Sequence, residues 1–353
     1  MSVAVVVPNW NGREDLRVCL DALRRQTMAV EIVVVENGST DGSTEMLRAS
    51  YPDVTLLPQR VNLGFAGGVN VGLRYSLRQG HEHVALLNND AVADPSWIEE
   101  LVAVMTSDDR IGMVASKFVT IDGERLDSTG ECYSSWGLPF PRGRDEEDLD
   151  AYDDAVQIFG ASGGSTLYRA EMLRDIGLFD EDFFAYFEDV DISWRAQLWG
   201  WGVRLAPRAI ARHRIGATSS RMPGFTTHQT LKNLGWLMIK NVPMSLLPTV
   251  APRLLLATTI TFVRAVVRGQ GPTAVRAVVI AVRKTPKKLR ERGDIQRGRR
   301  VDDAVVRSLL TWDLPPRSHN LRRLRAVVTS PVRAFRRGRT PDSPVQQRKS
   351  APR

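Results

Sequence analysis

Val3-Ala4-Val5-Val6-Val7-Pro8-Asn9-Trp10-Asn11-Gly12 is an apolar, β-branched run that stops at a proline and passes into asparagine and glycine. Five apolar residues without polar alternation fit a strand covered on both faces. The Pro-Asn-Gly chemistry that follows suits a turn. Leu16, Cys19, Leu20 and Leu23 then recur at helical spacing. The same alternation continues: 32–35, 54–57, 84–87 and 112–116 read as buried strands, and Ile98, Leu101, Val102 and Met105 as the inner stripe of a helix. This predicts an α/β fold with a mostly parallel central sheet. In such sheets ligands bind beyond the carboxyl ends of the strands. That singles out 8–12, 36–42, 62–68 and 88–94, all rich in Asn, Asp and Gly, although ordinary turn chemistry selects the same residues.

The 353-residue chain is 43% hydrophobic and 25% charged, values that exclude a wholly disordered or fibrous protein. Cys19 and Cys132 form no CxxC pair and cannot build a disulfide framework, which predicts a reducing compartment. The start lacks a basic leader and a small-residue cleavage site, so no secretory signal is expected. The net charge of +8 is divided unevenly. Residues 283–353 carry 21 Lys/Arg against 6 Asp/Glu, and the remainder is mildly acidic. An acidic body with a basic tail suggests chemistry in the body and an anionic partner for the tail.

Pattern weakens between 118 and 155, where Asp145-Glu146-Glu147-Asp148 with Asp150, Asp153 and Asp154 reads as a solvated loop rather than a metal site. Order returns from Ile158 to about Arg214, with Gly160-Ala161-Ser162-Gly163-Gly164 and a helix expected from Arg169. Beyond Phe225 the uncharged runs 241–252 and 254–263 are split by Arg253 and interrupted by Pro243, Pro248 and Pro252, so neither is expected to span a bilayer. With Arg264, Arg268, Arg276, Arg283, Lys284, Lys287 and Lys288 they predict amphipathic helices lying on an anionic membrane surface; the bland alternative is a helical subdomain with a solvated basic face. The expected organisation is a domain over 1–225, basic helices over 226–314 and a disordered tail over 315–353.

Three clusters could carry chemistry. Asn88-Asn89-Asp90 ends a strand and presents two oxygen ligands two residues apart, as hard divalent cations such as Mg²⁺ or Mn²⁺ prefer. Glu188-Asp189-Val190-Asp191 follows Phe183, Phe184, Tyr186 and Phe187; carboxylates among aromatic rings invite a raised pKa and suit a general base, whereas plain helix capping would use the same residues. His213 ends the strand-like run 203–211, and a lone histidine is more often structural.

Taken in order, Val5-Val6-Val7-Pro8-Asn9-Trp10-Asn11, Val34-Val35-Glu36-Asn37-Gly38-Ser39-Thr40-Asp41-Gly42, Asn62-Leu63-Gly64-Phe65-Ala66-Gly67-Gly68-Val69-Asn70, Leu87-Asn88-Asn89-Asp90 and Phe187-Glu188-Asp189-Val190-Asp191 resemble glycosyltransferase family 2 over roughly residues 2–215, most nearly its rhamnosyltransferase-type branch, with galactofuranosyltransferases as relatives. The resemblance implies a GT-A fold and an inverting displacement. It assigns Pro8, Asn9, Asn11, Glu36, Asn37, Asp41, Asn62, Gly64, Gly67, Gly68, Asn70 and Asn88 to the nucleotide-sugar pocket. Glu36 stands where the family usually has Asp, and Asn88 replaces the first acid of its metal-binding Asp-X-Asp. Asp90 then becomes the main carboxylate ligand of Mg²⁺ or Mn²⁺, with His213 resembling the histidine that completes the galactofuranosyltransferase metal site. Asp189 is the implied general base, and Glu188 and Asp191 would orient the acceptor or hold Asp189. Trp194, Trp199 and Trp201 are expected in the core.

The function expected is transfer of L-rhamnose from dTDP-rhamnose, or of another hexose, to a lipid-linked or polysaccharide acceptor in cell-envelope synthesis, by a cytoplasmic protein peripheral on the inner face of the membrane. A UDP-sugar hexosyltransferase is the nearest alternative. From other classes, an inactive scaffold is kept in view by the Glu36 and Asn88 exchanges, and a nucleic-acid binder by the basic tail. No nucleic-acid motif accompanies that tail. A GxxxxGK[ST] loop is absent and 64–68 lacks GxGxxG spacing.

Overall fold

In the computed structural model, which describes residues 2–152, 154, 156–214 and 222–316, the expected alternation is realised. Strand β1 (Val3–Asn9) leads through α1 (Arg13–Leu23) to β2 (Glu31–Glu36), then α2 (Ser43–Ser50), β3 (Thr55–Pro58), α3 (Gly64–Arg78) and β4 (His83–Leu87). β3, β2, β1 and β4 lie side by side and parallel, with Asn9 opposite Glu36 and Val6 opposite Leu86. Val5 and Val7 face one apolar layer, with Leu16, Cys19 and Leu20 of α1, while Ala4 and Val6 face another, with Val69 and Leu73 of α3. Two-sided burial is why these strands carry no polar alternation.

Past β4 the sheet becomes mixed. Short β5 (Ala91–Ala93), α4 (Trp97–Met105), β6 (Ile111–Thr120), β7 (Leu126–Ser128), β8 (Glu131–Tyr133), β9 (Pro139–Pro141), β10 (Ser165–Arg169), α5 (Ala170–Ile176), α6 (Glu188–Leu198) and β11 (Gly202–His213) follow. The sheet runs β3-β2-β1-β4-β10-β6-β11-β5, with β7 on β6 and a separate β8–β9 ribbon. β10 enters antiparallel between β4 and β6, while β11 runs parallel to β6.

Residues 1–313 form one compact unit. Its helices α7 (Phe225–Asn241), α8 (Leu247–Val267), α9 (Gly271–Arg297) and α10 (Asp303–Leu309) pack on the α6 side through Trp194, Leu198, Trp236, Leu237, Val250, Ile295 and Val306. The expectation that 241–263 is too broken to span a bilayer is corrected. Arg253 and Pro252 are absorbed into α8, a single 21-residue helix of mean hydropathy 1.6, long and apolar enough by those measures alone. Pro248 sits in its first turn, where a missing N–H costs nothing. The disorder expected over 315–353 falls almost wholly outside the described residues.

Candidate active site

Because β1, β2 and β4 are parallel, the turns after them emerge at one edge, and there a cleft of about 490 Å³ opens. Pro8, Asn9, Asn37, Asn62, Gly64, Asn88, Asp90, Glu131, Arg144, Glu188, Asp189 and His213 all line it. The volume suits a small-molecule ligand. The acidic helix start and the Asn88–Asp90 turn therefore share one cavity.

His213 reaches Asp90 through strand pairing. β11 runs antiparallel to β5 with His213 opposite Ala91, the residue after Asp90. The imidazole stacks on Phe118 at 4.8 Å, its Nδ1 lies 2.7 Å from buried Asp127 Oδ2, and its Nε2 faces Asp90 Oδ1 at 3.2 Å. Arg144 braces the other Asp127 oxygen at 2.6 Å. Burial would lower the His213 pKa, but Asp127 and Asp90 outweigh it and raise it to about 9. Asp90 Oδ1 is buried and meets the His213 ring. A buried carboxylate oxygen beside an imidazole whose far nitrogen is held by a second carboxylate is, once the Nε2 proton leaves, a donor set that fits a divalent cation.

Helix α6 starts at Glu188 with Phe187 as its N-cap, so Asp189 and Asp191 lie inside its first turn and neither caps it. Phe184, Tyr186 and Phe187 have φ of 64°, 69° and 71°, a left-handed conformation that bulky residues adopt at a cost of roughly 1–3 kcal/mol each. The α7 residue Asn233 holds this turn. Its buried Nδ2 donates to the carbonyls of Phe183 (3.1 Å), Ala185 (3.0 Å) and Tyr186 (2.8 Å). Gly64, at φ 76°, lies so close that a Cβ would stand 2.5 Å from the Phe184 ring, so this position admits only glycine.

The turn delivers Asp189, whose Oδ2 accepts from Gly163 N at 3.0 Å and whose Oδ1 accepts from Val190 N at 2.8 Å. Burial raises the Asp189 pKa, opposed by those two amides. Burial, and next the charge of Asp189, pushes Glu188 well above the ordinary carboxylate range, and its Oε2 is buried without a donor. Two backbone amides favour the charged form of Asp189, whereas Glu188 Oε2 meets no donor among the described residues, so Asp189 is the better placed of the pair to ionise. Glu131, buried on β8, is likewise pushed well up by burial and then by Asp189.

Several expected pocket residues are not in the cleft lining. Glu36 is buried and engaged by Asn9 Nδ2 at 2.7 Å and Ser39 N at 3.1 Å, so it positions Asn9, which in turn receives Asn89 Nδ2 at 2.6 Å. Asn11 accepts from Thr40 N, and Asp41 accepts from Arg13 N and Ser43 N at the helix starts. Gly67 and Gly68 lie inside α3, and Asn70 pins the Phe179 backbone through its Nδ2 and Oδ1. Asp191 is fully buried between Arg195 (3.0 Å) and Lys240 (2.9 Å) and does not reach the cleft; it anchors α6 to α7. Trp194, Trp199 and Trp201 also stay out of it, Trp194 being fully buried.

Sequence reasoning missed Asp127, Glu131, Arg144 and Asn233, which stand in no motif and reach the site only through long-range pairing. The carboxylates of Asp180, Asp182 and Glu291 also cluster, with ligand atoms within 4.8 Å of one another. Lys240 and Lys288 reach Asp180 at 2.6 Å, and Lys284, Lys287 and Lys288 reach Asp182 at 2.6–2.8 Å. These ammonium groups neutralise the cluster and leave a cation nothing to gain.

Parallel strands whose ends face an acidic helix start across one cleft define the GT-A class of α/β fold. The chain carries a domain of glycosyl transferase family 2, whose model matches residues 4–177. It is similar to a low-salt glycan biosynthesis hexosyltransferase of Haloferax volcanii, 27% identical over 202 residues covering 55% of this chain and 61% of that one. An N-acetylglucosaminyl-diphospho-decaprenol L-rhamnosyltransferase of Mycobacterium tuberculosis is 28% identical over 218 residues, covering 55% and 69%. GalNAc-T7, solved with UDP, GalNAc and Mn²⁺, shares the fold at a TM-score of 0.55 and 16% identity, over 68% of this chain and 48% of that one. The chain thus spans about six-tenths of the archaeal relative and half of the solved one.

Proposed function

We propose that the chain is an inverting glycosyltransferase that moves a sugar, L-rhamnose from dTDP-rhamnose, from a nucleotide donor to a lipid-linked glycan acceptor in cell-envelope synthesis. The carrying observation is that Asp189, Asp90 and His213 line one cleft. Inversion needs a base on the side of the sugar opposite the leaving diphosphate, within reach of the acceptor hydroxyl. Asp189 takes that proton as the hydroxyl oxygen forms its bond to the anomeric carbon and the bond to the diphosphate breaks. The Gly163 and Val190 amides hold both Asp189 oxygens in place, and protonated Glu188 avoids a second adjacent anion. Asn9, Asn37 and Asn62 line the cleft, the Asn9 amide donating to Glu36 and the Asn37 amide to Asn62 and Gly64, which fixes the turns on the nucleotide side. Asp90 and His213, with Asn88 beside them, would hold Mg²⁺ or Mn²⁺, which offsets charge on the departing diphosphate.

The mycobacterial relative supports rhamnose and a polyprenyl-diphosphate acceptor. The His213–Asp90 pair favours a second reading, a galactofuranosyl-type enzyme using a UDP-sugar, on the strength of the family resemblance. In either case the protein works at the inner face of the cell membrane. Asp189→Asn, incubated with labelled dTDP-rhamnose or UDP-galactofuranose and membrane lipid extract, tests the mechanism. Transfer should fall at least about 10²-fold with donor binding retained. Undiminished transfer removes Asp189 from the chemistry, and the donor that labels lipid in the wild type decides between the readings.

A further inference from the structure

Helices α8 and α9 are built inside out. Their buried positions are small or few, Val250, Leu254, Ala257 and Ala265 on α8 and Ala274, Ala277, Lys288 and Ile295 on α9. The apolar bulk points outward instead. Leu255, Leu256, Val263, Val266 and Val267 stand exposed on α8, as adjacent pairs and at three-, four- and seven-residue intervals that keep them on one side of the helix, Val267 at 81%. Val275, Val278, Val279, Val282 and Leu289 do the same on α9, Val282 at 65%. A contiguous exposed apolar face of this kind marks an interaction surface.

Its charge names the partner. No Asp or Glu occurs between residues 192 and 290, whereas Arg268, Arg276 and Arg283 are exposed on these two helices. The nearby acids Asp180 and Asp182 face inward and are taken up by Lys240, Lys284, Lys287 and Lys288. Outward valine and leucine bordered by cations suit the interface of an anionic bilayer. A transmembrane placement of α8 is at odds with its seams: Val250 belongs to the core that holds Trp236 and Leu246, and Arg253 and Arg264 would enter hydrocarbon.

The α8–α9 turn also adjoins the cleft. Gln270 meets Thr227 at 2.7 Å, and a Cβ on Gly224 would touch Thr273 at 3.5 Å. The next residue, Phe225, packs against Phe184 and Tyr186 at ring distances of 6.2 and 5.9 Å, and all three line the cleft.

We infer that the outward face of the α8–α9 hairpin docks on an anionic lipid bilayer and holds the cleft opening at the bilayer surface. This deepens the proposed function, resting on it only for the lipid-borne acceptor. The test is therefore binding without sugar transfer. Full-length wild type and the variant Val263→Ser/Val267→Ser/Val279→Ser/Val282→Ser, which keeps every charge, are sedimented with vesicles of phosphatidylcholine alone or mixed with phosphatidylglycerol. Wild type should partition to the mixed vesicles at least tenfold better than to the neutral ones, and the variant at least tenfold less than wild type with an unchanged melting temperature. Equal binding by variant and wild type, or equal binding to both vesicles, overturns the inference. So does a wild-type dimer that the variant dissociates in the absence of vesicle binding, because a second copy then covers the face. Affinity for duplex DNA with none for vesicles overturns it as well. Loss of transfer with vesicle binding intact would count against the proposed chemistry and not against this surface.

Discussion

Asp127→Asn isolates the contribution of one buried carboxylate to the imidazole that faces Asp90. In the wild type burial opposes the charged ring, yet Asp127 and Asp90 carry its pKa from 6.5 to about 9. That interval is worth roughly 3 kcal/mol at 1.36 kcal/mol per pH unit, an upper figure for a single buried group. The folded state holds a proton that the unfolded chain releases, so this stabilisation is complete below pH 6.5 and is lost as pH rises towards 9. Asparagine keeps the shape and can still accept from Nδ1, but a neutral acceptor is about half as strong as a charged one. The His213 pKa should therefore fall by about one pH unit or more, and the alkaline loss of stability should shrink by about 1–2 kcal/mol. Melting curves of EDTA-treated protein from pH 6 to 9.5, with imidazole NMR titration of His213, measure both. A manganese titration adds a second readout. The ion must displace the Nε2 proton, so wild-type affinity should climb with pH to about 9 and the variant's climb should stop about one unit lower. A variant whose melting profile and manganese profile both superimpose on the wild type would refute the role given to Asp127.

Asn233→Ala removes an amide whose two N–H groups serve three carbonyls of a strained turn, and at about 1 kcal/mol per N–H the loss is roughly 2 kcal/mol, read by chemical denaturation. Because the turn carries Asp189, kcat should fall more than donor KM rises; an equal effect on both would show the turn matters only for stability. Glu131→Gln should change little below pH 4.5 and become progressively stabilising as pH rises above it. Burial and the charge of Asp189 keep Glu131 protonated in the fold while the unfolded chain ionises above pH 4.5, so the wild type loses stability as pH rises through that window. A stability difference independent of pH would place Glu131 as an ordinary anion.

The polar turns that reach the cleft were legible because their chemistry is local. Pro8, Asn9, Asn37, Asn62, Asn88 and Asp90 each end or follow a strand or precede a helix, where turn backbone and ligand contact ask for the same side chains. Glu36, Asp41 and Asn70 belong to the same motifs but spend their polar atoms on the scaffold, since a motif records that a position is constrained without saying which neighbour constrains it. Asp191 is the sharpest case. It sits two residues from Asp189, yet helical geometry turns it towards Arg195 and Lys240.

By itself the order of residues determined the strand–helix alternation, the parallel half of the sheet and the edge where a ligand would enter, because hydrophobic period and turn chemistry act over a few neighbours. Tertiary structure alone decided that β10 runs antiparallel between β4 and β6, that His213 meets Asp90 with Asp127 behind it, and that Asn233 grips the turn before α6. It also joined two proline-broken runs into α8 and turned the larger apolar side chains of α8 and α9 outward. Such outcomes depend on which surfaces compete for one another across the chain, and a pattern read a dozen residues at a time carries no record of that competition.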